Sequence, residues 1–428
     1  MPLAAVLSLL LIRDLPVAAV RSEVVQPIRN ATFNKGGTAK TRRQGGNPRT
    51  VDGVLMFDGS NDGDRQVDPQ IAVGGGYVLH GTNSGLVIYD KAGNYVDGVP
   101  QREFNDGIDP KMYFDLHARV FVFDLWVYWD KEKIKPVNVS VSETSDPRGA
   151  WNTYPVSARD GVDGGGIGGS RRWIGYSFPG GKEQTFVMRL ADAKAGKPAR
   201  VWHFAGSLGH PAVVQDASDD LPFVTLTDES IIVRWVGASA DGAPVVKRTL
   251  TAARPATMAF GWPPASPQPG VKETVSSGDR NPKNLAVQNG SLWFSHTVNI
   301  AGRAGVQWHE VRLRDGKFLR SGTVAHATRS YIQTTIGVNR RGEAILGFQE
   351  AGADTFVSPR FARIGRRGTD LLGGIRSLGE GEAATKGGPW GDYSGSCVDG
   401  DNRLDLWTIQ SRANADGRGA TVIARVRP

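Results

Sequence analysis

From residue 51 onward the chain repeats one short pattern: an alternating apolar and polar run, a tight turn rich in Gly, Asp or Asn, then a second such run. "QIAVGGGYVLHGTNSGLVIYDKAGN", "KMYFDLHARVFVFDLWVYW", "NLAVQNGSLWFSHTV" and "IGVNRRGEAILGFQEA" all have this form. Period-two alternation marks strands, and no window carries the 3.6-residue period of an amphipathic helix. Three units open alike, with "DPQ" at Asp68, "DPK" at Asp109 and "NPK" at Asn281. A unit of this size cannot bury its apolar faces alone, so it must stack on copies of itself, in a line or around an axis.

Seven units can be laid out, beginning near Asp68, Asp109, Arg172, His210, Asn281, Tyr331 and Trp390. Dividing residues 51–428 among them gives about 54 residues each, the span of a propeller blade with its loops. The last unit has only three strands, "WGDYSGSCVD", "RLDLWTIQS" and "GATVIARV", while "VDGVLMFDG" at 51–59 precedes the first full unit. A ring has to close. The sequence therefore predicts an all-β fold, a seven-bladed β-propeller closed by an N-terminal strand, with six blades as the alternative. The strand near 52–57 should pair with the one at 420–426. On this reading "GGPWGDYSGSCVDGDNRLDLWTIQSR" at 387–412 is the inner hairpin of the closing blade. Strand alternation would put Trp390 and Asp392 on one face and Tyr393 on the other.

Three segments are expected along the chain: a signal segment at 1–22, a basic flexible leader at 23–50, and a single propeller domain at 51–428. The apolar run from Leu3 to Ile12 is too short to span a bilayer but suits a secretory h-region, although no basic n-region precedes it. A secreted or periplasmic location follows. The net charge is +8, and residues 21–50 supply +6 of it, with seven Lys or Arg against Glu23 alone. The folded part is thus almost neutral and gives no support for nucleic-acid binding. No segment reads as a membrane span, and the chain is expected to be a monomer. Its one cysteine, Cys397, excludes an internal disulfide and reads as a buried thiol.

"DPQIAVGGGYVLHGTNSGLVIYDKAGN", "DPKMYFDLHARVFVF", "VSETSDPRGAWNTY", "HTVNIAGRAGVQWHEVRL" and "PWGDYS" together resemble secreted bacterial β-propeller proteins of the sialidase-like kind, related to those with Asp-boxes. The likeness runs from about residue 51 to the C-terminus and implies the fold, with little chemistry attached. The chain lacks the F/Y-R-I-P stretch of true sialidases. Its one relative of the Asp-box, "TSDPRGAW" at 144–151, has an extra residue between Asp146 and Gly149.

In propellers the inner strands begin at one face, where a funnel usually holds the ligand. Residues at unit starts should converge there. The candidates for catalysis are Asp109, Asp392 and Tyr393; those for substrate binding are Asp68, Lys111, Arg171, Arg172, Trp173, Tyr331 and Trp390. Carboxylates suit acid–base work, arginines grip a sugar acid, and aromatics stack on pyranose faces. Against this, an Asp at a strand entrance commonly accepts N–H bonds from the next blade and simply holds the ring.

His80 and His296 lie in second strands and read as satisfied strand histidines. No cofactor is expected. "DGSNDGD" at 58–64 and "DGDNRLD" at 399–405 have the alternating oxygens that calcium accepts, yet lack the Glu that completes an EF-hand, so surface turns are preferred. The expected function is to bind or process an acidic carbohydrate in the funnel, as a glycoside hydrolase or polysaccharide lyase if it is an enzyme. The alternative is a non-catalytic binding or structural propeller at the cell surface, with a glycan as partner.

Overall fold

Strand pairing among the described residues gathers the repeated units into seven antiparallel groups of four around a common axis, six of them folding up and down in chain order. The computed structural model describes residues 17–30, 45–61, 66–127, 137–157, 164–178, 184–385 and 390–427. The innermost strands are Gln70–Gly74, Ile108–Asp115, Gly166–Gly169, His210–Pro211, Leu285–Gln288, Arg329–Val338 and Gly395–Val398, and the blades are numbered in that order. This is an all-β propeller. Blades three to five also touch at the axis, where Val213 pairs in parallel with Gly169 on one side and Ala286 on the other.

The ring closes as the sequence predicts. Val54–Asp58 pairs antiparallel with Gly419–Val426, with Asp58 opposite Val422 and Leu55 opposite Arg425. His80 sits under this seam, fully buried, with Nε2 within 3.3 Å of Ser60 Oγ and 3.2 Å of Thr421 Oγ1. Burial lowers its pKa to about 4, so it is neutral and works as a bolt.

Strands such as Val120–Trp126 and Val137–Ser142 are buried on both faces, because each blade is covered by a neighbour on either side. The core is accordingly a circle of clusters between blades. Leu79 and Ile88 of blade one meet Met112, Phe114 and Phe121 of blade two. Trp407 and Ile409 of blade seven meet Ile71 and Tyr89 of blade one. Burying each such side chain contributes about 1.5–3 kcal/mol.

The leader departs from expectation. Val17–Ala18 pairs with the outer strand of blade four, Arg21–Val25 with that of blade three, and Ile28–Asn30 with that of blade two. Gly46–Val51 adds a further strand outside Val54–Asp58. A belt thus runs backward along three blades. The reason is that an outer strand presents unpaired N–H and C=O groups, which any extended segment can satisfy whatever its side chains. The low apolar content of the leader says nothing about backbone pairing. Side chains reinforce the belt: Glu23 Oε1 lies 2.9 Å from His203 Nε2, and Arg21 Nη2 lies 3.3 Å from His203 Nδ1.

Candidate functional site at the channel mouth

The inner strands surround a channel of about 910 Å³, counting space open to solvent, lined by residues such as Gln70, Lys111, His210, Lys283, Ile336 and Ser396. Its entry mouth lies where these strands begin.

Asp68 and Asp109 stand at equivalent places, each just before a proline at the head of an inner strand. Both have left-handed backbone, with φ of 44° and 56°. A pre-proline residue favours extended conformations and a non-glycine residue rarely turns left-handed, so both positions are strained and held by their surroundings. Asn83, in the hairpin of blade one, does the holding. Its Nδ2 donates to Asp68 Oδ2 at 2.8 Å, and its Oδ1 accepts the Asp109 N–H at 2.7 Å. Asp68 Oδ1 accepts the Asp392 N–H at 2.6 Å, joining blade one to blade seven. Burial first, then the Asp109 charge, pushes the Asp68 pKa up to about 7 against the pull of that N–H.

Beneath this layer Lys111 sits directly across the strand pair from Asp124, and both are buried. The Lys111 ammonium lies 3.2 Å from the centroid of the Tyr393 ring, on its face. No side chain donates a hydrogen bond to Asp124, and the buried Tyr393 hydroxyl has no partner. Burial pushes Asp124 up to about 8 while Lys111 pulls it down, and burial lowers Lys111 itself. Tyr393 is raised well above its ordinary value, by burial and then by the Asp109 charge. From across the channel Lys283 Nζ donates to Asp279 Oδ2 at 2.8 Å. Desolvation lowers His210 to about 4, with the Lys283 charge acting in the same direction.

Five of the expected residues therefore meet here: Asp68, Asp109, Lys111, Asp392 and Tyr393. Asp109 and Asp392 are half-buried, whereas Asp68, Lys111 and Tyr393 are buried. Asp68 plays the ring-holding part described for a strand-entrance Asp. The other five lie elsewhere. Arg171, Arg172 and Trp173 follow the inner strand of blade three and so stand at the opposite face, because that blade begins at Gly166 rather than Arg172. Its glycines are needed for closeness: a Cβ on Gly169 would come within 2.1 Å of Tyr113 Oη, and one on Gly168 within 2.7 Å of the Ala212 carbonyl oxygen. Arg171 Nε donates to Asp219 Oδ1 at 2.7 Å, Arg172 lies over the Trp173 ring, and Trp173 packs edge-on to Trp202 in the core. Tyr331 turns into the core against Phe348. Trp390 packs with Ile332 and Val275 and donates Nε1–H to Gln349 Oε1 at 3.1 Å. Since residues 390–393 precede the strand Gly395–Val398, and Gly391 has a φ of 117°, the expected alternation of faces does not apply to them.

Sequence reading missed Asn83, Asp124, Asp279 and Lys283. Two left signals. Asp124 interrupts the apolar run "VFVFDLW", and Lys283 stands in "NPK" where Lys111 stands in "DPK".

The acidic loops hold protein donors. Asp401 accepts the N–H groups of Gly75 and Gly76 at 3.0 and 2.9 Å, and pairs with Lys91 and Arg119. Lys91 also reaches Asp399 at 2.6 Å, Asn402 Oδ1 accepts the Leu404 and Asp405 N–H groups, and Asp405 pairs with Arg427. In the other loop Asp58 pairs with Arg49 at 3.5 Å, while Asp62 and Asp64 lie outside the described residues. Among the described residues no three His, Cys, Asp or Glu side chains gather as a metal site, and no helix is long and apolar enough to cross a membrane. His296 bonds His309 on the neighbouring strand, Nε2 to Nε2 at 3.2 Å, and the Arg280 carbonyl at 3.1 Å. Cys397 lines the channel, its thiol pushed up by burial.

No known protein family and no curated protein sequence matches the chain.

Among solved structures it is similar to the N-terminal domain of Nup159, at 8% identity and a TM-score of 0.39, over 96% of this chain and 95% of that one. A neuraminidase-like protein of A/little yellow-shouldered bat/Guatemala aligns at 9% identity and a TM-score of 0.33, over 74% and 100%. An α-L-arabinofuranosidase from Fusarium graminearum aligns at 7% and 0.30, over 72% and 89%. With every one of these TM-scores low, the likenesses carry no argument about what this chain binds.

Proposed function

We propose that the entry mouth binds a neutral carbohydrate, with Asp109 and Asp392 accepting its hydroxyl protons. The observation that supports this reading is the gathering of Asp68, Asp109, Asp124 and Asp392 from three blades around Lys111, with Lys283 already paired to Asp279. Ionised carboxylates only accept hydrogen bonds, and a sugar ring offers hydroxyl donors on every side. A sugar acid would set its charge beside Asp109 and Asp392, with Lys283 already paired to Asp279. The acidic glycan expected from sequence relied on Arg171 and Arg172, and these stand at the other face. Neutral sugars are therefore preferred to uronates and sialic acids.

A group of carboxyls whose proton affinities are pushed apart is also what glycoside hydrolysis uses. Asp68, however, has both oxygens taken by N–H donors. That favours a second reading, in which the mouth binds without cleaving, as a recognition propeller. Titration calorimetry with neutral, uronate and sialylated sugars, together with a reducing-sugar assay, separates these readings. Binding of neutral sugars that disappears in Asp109→Asn and Asp392→Asn, at unchanged melting temperature, supports the proposal. Preference for acidic sugars, or wild-type binding by both variants, overturns it. Sugar release lost in the same variants would make the mouth a hydrolase site.

A further inference from the structure

A long connection, residues 254–284, leads from blade four to blade five across the entry face. Irregular segments of this length in a compact domain are uncommon and usually functional. This one is pinned along its length. The Ala259 N–H donates to Gln307 Oε1 at 2.7 Å, the Asn299 N–H to the Gly261 carbonyl at 3.1 Å, and Ser277 Oγ to the Pro264 carbonyl at 2.7 Å. Ser266 and Val275 exchange both backbone bonds, and Gln268 bonds both backbone groups of Thr385. The segment ends in the mouth, where it supplies Asp279 and Lys283, and Gly278 abuts the Asp392 carbonyl.

In the middle of this fixed segment Trp262 is 61% exposed, whereas Trp151, Trp173, Trp293, Trp308 and Trp407 are fully buried. One cation stands over its ring. The Arg280 guanidinium lies 5.4 Å from its centroid, and is itself fixed over the Phe260 ring at 4.0 Å and bonded to Asp228 Oδ1 at 2.9 Å and to the Phe260 carbonyl at 2.6 Å. Arg280 immediately follows Asp279, so the same few residues hold the indole and line the mouth. An indole has only two side-chain torsions to fix when a ligand settles on it, and its open apolar surface suits the C–H face of a sugar ring.

We propose that Trp262 is an aromatic platform for a second sugar unit, so that the entry face takes an oligosaccharide rather than a lone monosaccharide. This rests on the carbohydrate reading of the mouth. The test is calorimetric titration of cello-, xylo- and arabino-oligosaccharides of one to five units into the full chain. Wild-type affinity should rise about tenfold from one unit to three. Trp262→Ala should abolish that rise and leave monosaccharide affinity and melting temperature alone, and Trp262→Phe should retain most of it. Arg280→Gln, which frees the indole, should weaken the rise. If Trp262→Ala binds the longer sugars as the wild type does, the platform is wrong while the mouth reading stands. If wild-type affinity is the same at every length, the platform is likewise wrong. If no sugar in the series binds the wild type, the mouth reading falls and the platform with it.

Discussion

The two ends of the channel spend their aspartates differently. At the exit face the best-held carboxylates of the turns have donors suited to them. Asp401 takes two backbone N–H groups, Lys91 and Arg119, and Asp216 takes the N–H groups of Asn289 and Gly290 at 2.8 Å each. These bonds tie blade seven to blades one and two, and blade four to blade five. The Asp401 pKa is held below its ordinary value, with the bonds to Lys91 and Arg119 overcoming burial. At the entry mouth burial wins at Asp68 and Asp124, as it also does at Asp115 on the exit side, whereas Asp279, despite burial, is held low by Lys283. Asp68 and Asp124 are pushed up, no side chain donates to Asp124, and two aspartates sit on strained backbone. A carboxylate that is cheap to keep is a fastener. One that is costly to keep points to a task beyond the fold.

Breaking the exit fasteners should have the largest effect on stability. Asp401→Ala leaves the Gly75 and Gly76 N–H groups without their acceptor, Arg119 without its carboxylate and Lys91 with Asp399 alone, at an expected cost of about 3 kcal/mol in denaturant unfolding. A cost under about 0.5 kcal/mol would show that the exit end is no more structural than the mouth.

Removing the belt comes next. Deletion of residues 17–30 exposes the outer strands of blades two to four and takes Glu23 and Arg21 from the buried His203. A loss of about 2 kcal/mol is expected, read as a melting temperature several degrees lower. An unchanged melting temperature would mean that the paired belt adds nothing.

The two ends should also differ in their response to pH. Asp68, raised from 3.8 to about 7, keeps its proton in the folded chain after the unfolded chain has lost it. Its contribution is therefore full below the ordinary carboxylate range, falls as pH rises, and is gone above about 7. Asp401 is depressed, so its contribution is complete above the ordinary value and is lost only in strong acid. Asp109→Asn removes the charge next to Asp68 and should flatten the fall in stability between about pH 5 and pH 8, by about 1 kcal/mol or less. Asp401→Asn should leave that slope as it is. Equal slopes in wild type and Asp109→Asn would remove the electrostatic part of the account.

Much of this could be read from the sequence, and the exceptions have physical causes. The ring closure was legible because a three-stranded last unit and an orphan strand at 51–59 fit only each other. Asp68, Asp109 and Lys111 were legible through the repeated Asp-Pro opening. Arg171 and Arg172 were misplaced because "GIGG" reads as a loop, whereas here the glycines let a strand approach Tyr113 and Ala212. Asn83 was not legible at all, since a turn asparagine looks the same whether or not it bridges two strained aspartates. The belt was hidden for a different reason, because outer-strand pairing uses the backbone and leaves no side-chain pattern.

The central claim, that the mouth is for a ligand and the exit end for the ring, is tested most directly by pairing Asp392→Asn with Asp401→Asn. Neutral-sugar affinity and melting temperature would be measured on both, at a temperature where each is folded. The account predicts that Asp392→Asn loses binding and keeps its melting temperature, while Asp401→Asn loses several degrees and keeps binding. The reverse pattern, with Asp392→Asn less stable and still binding, would contradict it.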